Sequence, residues 1–487
     1  MLSNFSGYSA ASTANPTPVA STPAGCFRLI NKTAAAPNEP ATTARFHTSI
    51  NSPQSAREVS RLTCPKPAYK VNSSAAKVAP LLYTSSSSWM QSSLPQVKKT
   101  FMRNSRFARF LVAAAVALLA VQSSAQVKPR ARDLGVPFDG TPGANNAITD
   151  VQGVEVGHTT LLSGEGKLVV GKGPVRTGVT AILPRGKAST DAVFAAWFTL
   201  NGNGEMTGTT WVDDSGFLDG PVMITNTHSV GVVRDAVIAW KVKHSAPDME
   251  GYFWSLPVVA ETWDGWLNDI NGFHVHPEDA FHALDTAHSG AVEEGNVGGG
   301  TGMICNEFKG GIGTSSRVLT AKAGGYTVGV LVQCNYGSRE QLRIAGVNVG
   351  REIPEHTLWQ KDVGSIIVIV ATDAPLIPTQ LKRIARKVSL GLGRDGSYSG
   401  DGSGDIFLAF STANPGAVGA KGLHQLTMLP NEKLDPIFLA TVQATEEAVI
   451  NAMVAAETMK GINDREVIAL PHDRLRETLK KYNRLTK

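Results

Sequence analysis

The chain has 487 residues, 42% of them hydrophobic, with 48 glycines. That composition fits a globular α/β protein with many tight turns and excludes a fibrous or wholly disordered chain. Its net charge of +5 is unevenly held: residues 1–130 carry 15 basic and 2 acidic side chains, residues 131–487 carry 31 and 39. The body is mildly acidic, so nothing in it reads as an electrostatic footprint for nucleic acid.

Residues 1–100 are rich in Ser, Ala, Thr and Pro without a sustained apolar period. Such a segment cannot bury enough surface to offset its ordering entropy. From Met102 the character changes. Three arginines (Arg103, Arg106, Arg109) precede the apolar run Leu111 to Val121, and the small residues Ser123 and Ala125 follow. Basic, apolar, small is the order of a secretory signal, and eleven apolar residues are short for a membrane span. Two readings follow. Either Met102 is the true start and 1–101 an artefact of the gene boundaries, or the acid-poor leader is an organelle transit segment. The first is preferred, with 102–125 as signal peptide, a mature start near Gln126 and an exported product.

Beyond Ala131 strands and helices alternate. Expected strands are Val179–Leu183, Val193–Leu200, Val222–Thr225, Tyr326–Asn335, Ser365–Ala371 and Ile406–Ser411, rich in Val, Ile, Phe and Tyr and bounded by Gly, Pro or Asn. Several are apolar throughout, as strands covered on both faces are. Leu381, Ile384 and Val388 form the stripe of one helix, with Lys382, Arg383, Arg386 and Lys387 on its solvated side. A second begins with Asp435 as N-cap and Pro436 at the first helical position. It carries Phe438, Val442, Thr445, Val449, Met453 and Ala456 on one face and is expected to end at Gly461. Helices on doubly covered strands predict a layered α/β sandwich, one unit over 126–487. Cys305 and Cys334 show no zinc spacing and read as two buried free thiols.

Three segments place polar groups against buried strands. In VGSIIVIVATDAP, Ser365 stands at a strand entrance after Gly364, whose lack of Cβ lets another group approach its carbonyl. Attack by the Ser365 hydroxyl on that carbonyl would cut the chain and leave an N-terminal serine, nucleophile and base in one residue. Taken alone, a Gly-Ser there is an ordinary turn. In YSGDGSGDIFLAFST, Ser403 and Asp405 fall on one side of a strand and could orient a nucleophile or relay a proton; the alternative is a plain Asp/Gly turn, without the later ligands of a calcium loop. In VGVLVQCNYGSRE, Asn335 ends a strand, where its amide could stabilise an oxyanion or simply bond its own turn. GNVGGGTGM matches no nucleotide-binding pattern. His274, His276 and His282 lack a carboxylate in clear ligand register beyond Glu278, so neither metal nor cofactor is expected. His228 reads as structural.

Together with ARDLGVPFDGTPGANNAITDVQGVEVGH, RTGVTAILP, LNGNGEMTG, TNTHSVGVVRDA, LPVVAETWDG, LNDINGFHV, EGNVGGGTGM and FKGGIGTSSR, these blocks resemble the self-processing L-aminopeptidase/D-amidase-esterase family, which includes the β-peptidyl aminopeptidases. The resemblance runs from about Arg130 to about Asn414. It implies a four-layer αββα sandwich like that of N-terminal-nucleophile hydrolases with different strand connectivity. It implies cleavage between Gly364 and Ser365 into α and β chains that stay together, oligomers of such units, and small peptide, aminoacyl amide or ester substrates. Ser365 then resembles the nucleophile, Ser403 and Asp405 its assistants, Asn335 the oxyanion donor and Glu261 the carboxylate holding the substrate amine. Two departures stand out. The β-aminopeptidase branch has Glu where this chain has the shorter Asp405. Relatives read ETYDG where this chain reads ETWDG, so Trp263 replaces a hydroxyl that can accept with an indole that only donates. The fold would also suit an acyltransferase of the ornithine acetyltransferase type, or a catalytically silent relative.

Overall fold

Four sequence-separated strands and six others sort into two sheets because their apolar side chains face three different cores. A computed structural model describes residues 128–244, 253–358, 363–419 and 422–486; the expected leader (1–101) and signal (102–125) lie outside them. The strands are β1 (Glu155–Ser163), β2 (Val175–Leu183), β3 (Val193–Gly202), β4 (Phe217–Leu218), β5 (Val222–Asn226), β6 (Val258–Thr262), β7 (Gly311–Val318), β8 (Thr327–Asn335), β9 (Val363–Thr372) and β10 (Gly402–Ser411). One sheet has the order β1-β2-β5-β6, the other β4-β3-β10-β9-β8-β7. Four helices complete the layers: α1 (Val230–His244), α2 (Pro277–Asp285), α3 (Pro378–Arg394) and α4 (Asp435–Val454).

Alternation along each strand builds the sandwich. Ile367, Ile369, Leu331 and Leu408 pack against Ile182, Ile224 and Ala260, filling the space between the sheets. Val368, Val370, Val330 and Phe407 point the other way, onto Leu381, Ile384 and Val388 of α3 and Ala444, Ala448 and Val449 of α4. Val179, Ala181, Met223 and Val259 face Val233 and Val237 of α1 and Ala280 and Ala283 of α2. The order of layers is helix, sheet, sheet, helix, the αββα sandwich expected.

All six expected strands and both helices are present, with shifted ends. β2 begins four residues earlier, because Arg176 inside it finds Ser163, Gly164, Val175 and Lys460 carbonyls for its guanidinium. Helix α4 stops at Val454, not Gly461, and Asp435 is its first helical residue rather than its cap. Gly461 has a φ of −130° and serves close approach instead: an added Cβ would lie 2.1 Å from the Leu267 carbonyl oxygen. α4 is long and apolar enough to cross a membrane, yet it lies mostly buried on the sheet. Its Glu447 pairs with Arg317 of β7 at 2.8 Å and with Arg132 at 2.7 Å.

The free-thiol expectation is wrong. Cys305 and Cys334 form a disulfide, with Cα atoms 5.5 Å apart. The two cysteines are 29 residues apart in sequence, and only the return of the 304–309 hairpin onto the end of β8 makes them neighbours.

Candidate active site

The site forms where β6, β8, β9 and β10 end together. β9 lies between β8, antiparallel, and β10, parallel, with Ser365 opposite both Asn335 and Gly404. Ser365 is 5% exposed, and its Oγ accepts the Gly404 N–H at 3.3 Å. Gly364 has a φ of +108°, and a Cβ there would stand 2.0 Å from the Asn335 carbonyl oxygen. Only glycine fits both the left-handed backbone and that contact. The Gly364–Ser365 peptide is thereby held across the end of β8.

Asn335 is fixed at both ends of its carboxamide. Oδ1 accepts the Ile304 N–H at 2.8 Å, and Nδ2 donates to the Trp263 carbonyl at 2.9 Å. The second Nδ2 hydrogen is not used by either bond. Asn335 shares the face of Gln333, which donates to the Thr225 carbonyl and Thr262 Oγ1 of the facing sheet. Ser365 and Asn335 therefore point between the sheets.

Glu261, near the end of β6, comes from that facing sheet. It is 3% exposed. Its Oε1 accepts the Glu205 N–H at 2.9 Å and its Oε2 the Thr227 hydroxyl. Burial pushes the carboxyl above the usual carboxylate range, against the opposing pull of the Thr227 and Glu205 donors. A Cβ on Gly204 would lie 3.3 Å from Gly404 Cα and 3.4 Å from Glu261 Oε1. One glycine thus separates the carboxylate from the residue that binds Ser365 Oγ.

Ser403 and Asp405 come together as expected: Ser403 Oγ donates to Asp405 Oδ1 at 2.6 Å, both fully buried. They do not share Ser365's face. Across the β9–β10 register Ser403 pairs with Gly364 and Asp405 with Ile366, and Ile366 belongs to the helix-side core. The pair lies beside the Gly364–Ser365 peptide rather than in front of the hydroxyl. Ser399, which donates to Asp405 Oδ2, was not foreseen. Nor were Thr227 and the Ile304 and Glu205 amides, since main-chain donors leave no mark in a side-chain pattern.

Trp263 is 44% exposed, at the rim. Asp264 beside it is fully buried and accepts from Asn268 Nδ2 at 3.0 Å, and burial pushes its carboxyl up to about 6. His228 stacks on Phe273 at 5.8 Å. His274 Nε2 is 2.9 Å from Asp269 Oδ2, His282 Nδ1 is 3.1 Å from Thr159 Oγ1, and His276 precedes helix α2 with its N–H on Asp279. Among the described residues no three His, Cys, Asp or Glu side chains are grouped to hold a metal. The glycine cluster threads between the sheets: a Cβ on Gly299 would meet Gln333 Oε1 at 2.2 Å.

Known proteins resemble this chain in sequence and fold. Residues 146–467 match the model of peptidase family S58. A β-peptidyl aminopeptidase, BapA, of Sphingosinicella microcystinivorans is 58% identical over 385 residues, 76% of this chain and 96% of the relative. BapA of Sphingosinicella xenopeptidilytica is 51% identical, over 72% and 91% respectively. Among solved structures, the L-aminopeptidase D-Ala-esterase/amidase of Ochrobactrum anthropi, described as a prototype of the serine aminopeptidases with a variant Ntn hydrolase fold, is 49% identical. It superposes with a TM-score of 0.69, over 74% of this chain and all of the other. A Burkholderia β-aminopeptidase is 48% identical with a TM-score of 0.67, over 72% and 99%. The chain belongs to peptidase family S58 and is a hydrolase of the aminopeptidase and amidase kind.

Proposed function

We propose that Ser365 is the nucleophile of a self-cleaving aminopeptidase that removes an N-terminal aminoacyl residue from an amide or ester. The observation that carries the reading is the position of the Ser365 hydroxyl: on the Gly404 N–H, opposite Asn335, and just after a glycine that no other residue can replace without strain. In the precursor, Ser365 Oγ adds to the Gly364 carbonyl carbon. The C–N bond breaks as the nitrogen takes a proton, the acyl group passes to oxygen, and water opens the ester. The products are a Gly364 carboxylate and a free Ser365 α-amine. An unperturbed α-amine has a pKa of about 7.7–8.0, so it can take the hydroxyl proton in each later turnover.

The other groups then divide the work. The unused Nδ2 hydrogen of Asn335 stabilises the oxyanion, a donor worth about 2.7–4 kcal/mol in acyl transfer. Ser403, held by Asp405 and paired with Gly364 across the β9–β10 register, passes protons to and from the Ser365 α-amine. Glu261 receives the ammonium of the substrate, and Trp263 shapes the mouth. Since β9 stays in the centre of its sheet, the two chains remain together after the cut, and assembly into oligomers of such units is the quaternary reading. The β-aminopeptidase activity named for the Sphingosinicella and Burkholderia relatives favours β-aminoacyl amides among the substrates. Export is favoured by the basic-apolar-small order after Met102 and by a disulfide in the body, a bond of oxidising compartments.

β-Alanyl and L-alanyl p-nitroanilides, each with a free or an acetylated amine, test the substrate reading. Only the free-amine compounds should be turned over. Comparable hydrolysis of the acetylated forms would mean that the amine is not recognised.

A further inference from the structure

The disulfide and the Asn335 carboxamide are built from the same two short pieces of chain. Cys334 immediately precedes Asn335 at the end of β8, and Cys305 immediately follows Ile304, whose N–H donates to Asn335 Oδ1 at 2.8 Å. Both cysteines are 0% exposed. The hairpin carrying Cys305 is also tied from below, where buried Lys309 donates from Nζ to the Met303 carbonyl at 2.6 Å and to the Gly310 carbonyl at 2.8 Å. The Ile304 amide is thus held from both sides of the chain while it fixes which way the Asn335 amide points.

We infer that the Cys305–Cys334 disulfide positions the Asn335 side chain for the reaction, acting through the Ile304 N–H. The inference rests on the reading of Asn335 as oxyanion donor. A carboxamide can rotate by half a turn and exchange its oxygen for its nitrogen. With Ile304 held in place, the donor end can only face Trp263 and the cleft. With the covalent tie cut, the Ile304 amide gains freedom, and the acceptor that pins Oδ1 loosens. Oxyanion stabilisation depends on donors fixed before the charge develops, so the loss falls on kcat rather than on substrate binding. The disulfide is then a positioning element for turnover as well as a cross-link.

The test compares wild type, the Cys305→Ala/Cys334→Ala double variant, Asn335→Ala and the triple variant, with rates expressed per cleaved chain. Alkylation of denatured, unreduced wild type should leave both cysteines unmodified by mass. The double variant should lose roughly 10- to 100-fold in kcat, the size of effect that small misplacements produce, with KM within about twofold. On the Asn335→Ala background the same two substitutions should cost nothing further. Unchanged kcat in the double variant, alongside a large loss in Asn335→Ala, overturns the inference, as do two alkylated thiols in the wild type. Full kcat in Asn335→Ala would instead bring down the oxyanion reading itself.

Should the double variant not accumulate, processed wild type can be reduced in sub-denaturing urea. Dithiothreitol supplies the two electrons and two protons that turn the S–S bond into two thiols, itself becoming a cyclic disulfide. Activity should fall in proportion to the thiols blocked by iodoacetamide. Full kcat with both thiols blocked overturns the inference.

Discussion

Ser365→Ala is expected to accumulate as one uncut chain and to turn over aminoacyl amides on the order of 10⁴- to 10⁶-fold more slowly than wild type. Losses of that size follow removal of a catalytic serine nucleophile. Here the variant loses two things at once. Without Oγ the Gly364 carbonyl is never attacked, so no α-amine is generated, and the acyl group of a substrate has nothing to add to. The protein should still fold, because Ser365 Oγ contributes one hydrogen bond of 3.3 Å, from an amide at the edge of the cleft. Circular dichroism and a denaturing gel separate loss of fold from loss of chemistry. A cut, active Ser365→Ala protein would show that the nucleophile lies elsewhere.

Glu261→Gln should lower kcat/KM for free-amine substrates by roughly 10²- to 10³-fold. Removing one partner of a buried, hydrogen-bonded charge pair costs about 2–5 kcal/mol. Glutamine keeps an Oε1 for the Glu205 N–H, and its Nε2 can donate to the Thr227 oxygen once that hydroxyl turns its proton away, so both contacts persist and self-cleavage should proceed. The loss should be absent for acyl esters that carry no amine. The pH profile offers a second reading. Burial raises the Glu261 carboxyl above the ordinary range, so the wild type should lose ammonium binding as pH falls through that raised value and the carboxylate is protonated. In Glu261→Gln that acid limb should vanish. Equal losses for amine-bearing and amine-free substrates would assign Glu261 to the fold instead.

The inner strands of the six-stranded sheet are legible in the sequence because both of their faces are apolar. β8, β9 and β10 are covered by a second sheet on one side and helices on the other, and a run such as Ile366 to Ala371 needs no alternation to announce itself. β7 carries no such signature, for the opposite reason. Its GIGTSSRV is polar and yet nearly all buried, because its side chains are answered by distant partners: Ser315 Oγ on the Ala444 carbonyl, Thr314 Oγ1 on that of Val330, Arg317 on Glu447. No local pattern encodes such partners. The site divides the same way. Ser365, Ser403 and Asp405 stand just before an apolar run and Asn335 just after one, where a polar residue at a strand end is visible in the sequence. Thr227, Ser399 and the Ile304 amide act through bonds formed only once the chain has returned on itself. The cysteine pair was misread for that reason too: composition speaks to thiol burial, while pairing depends on a hairpin whose docking is a tertiary event.

An internal serine such as Ser365 becomes an N-terminal nucleophile only once the peptide bond before it has been cut. N-terminal sequencing of purified, active protein reads this directly. Two sequences should emerge, one from near residue 126 and one beginning SIIVIVATDAP at Ser365, in equal amounts. A polypeptide that runs unbroken through Gly364 and Ser365 while still hydrolysing its substrates would contradict the mechanism.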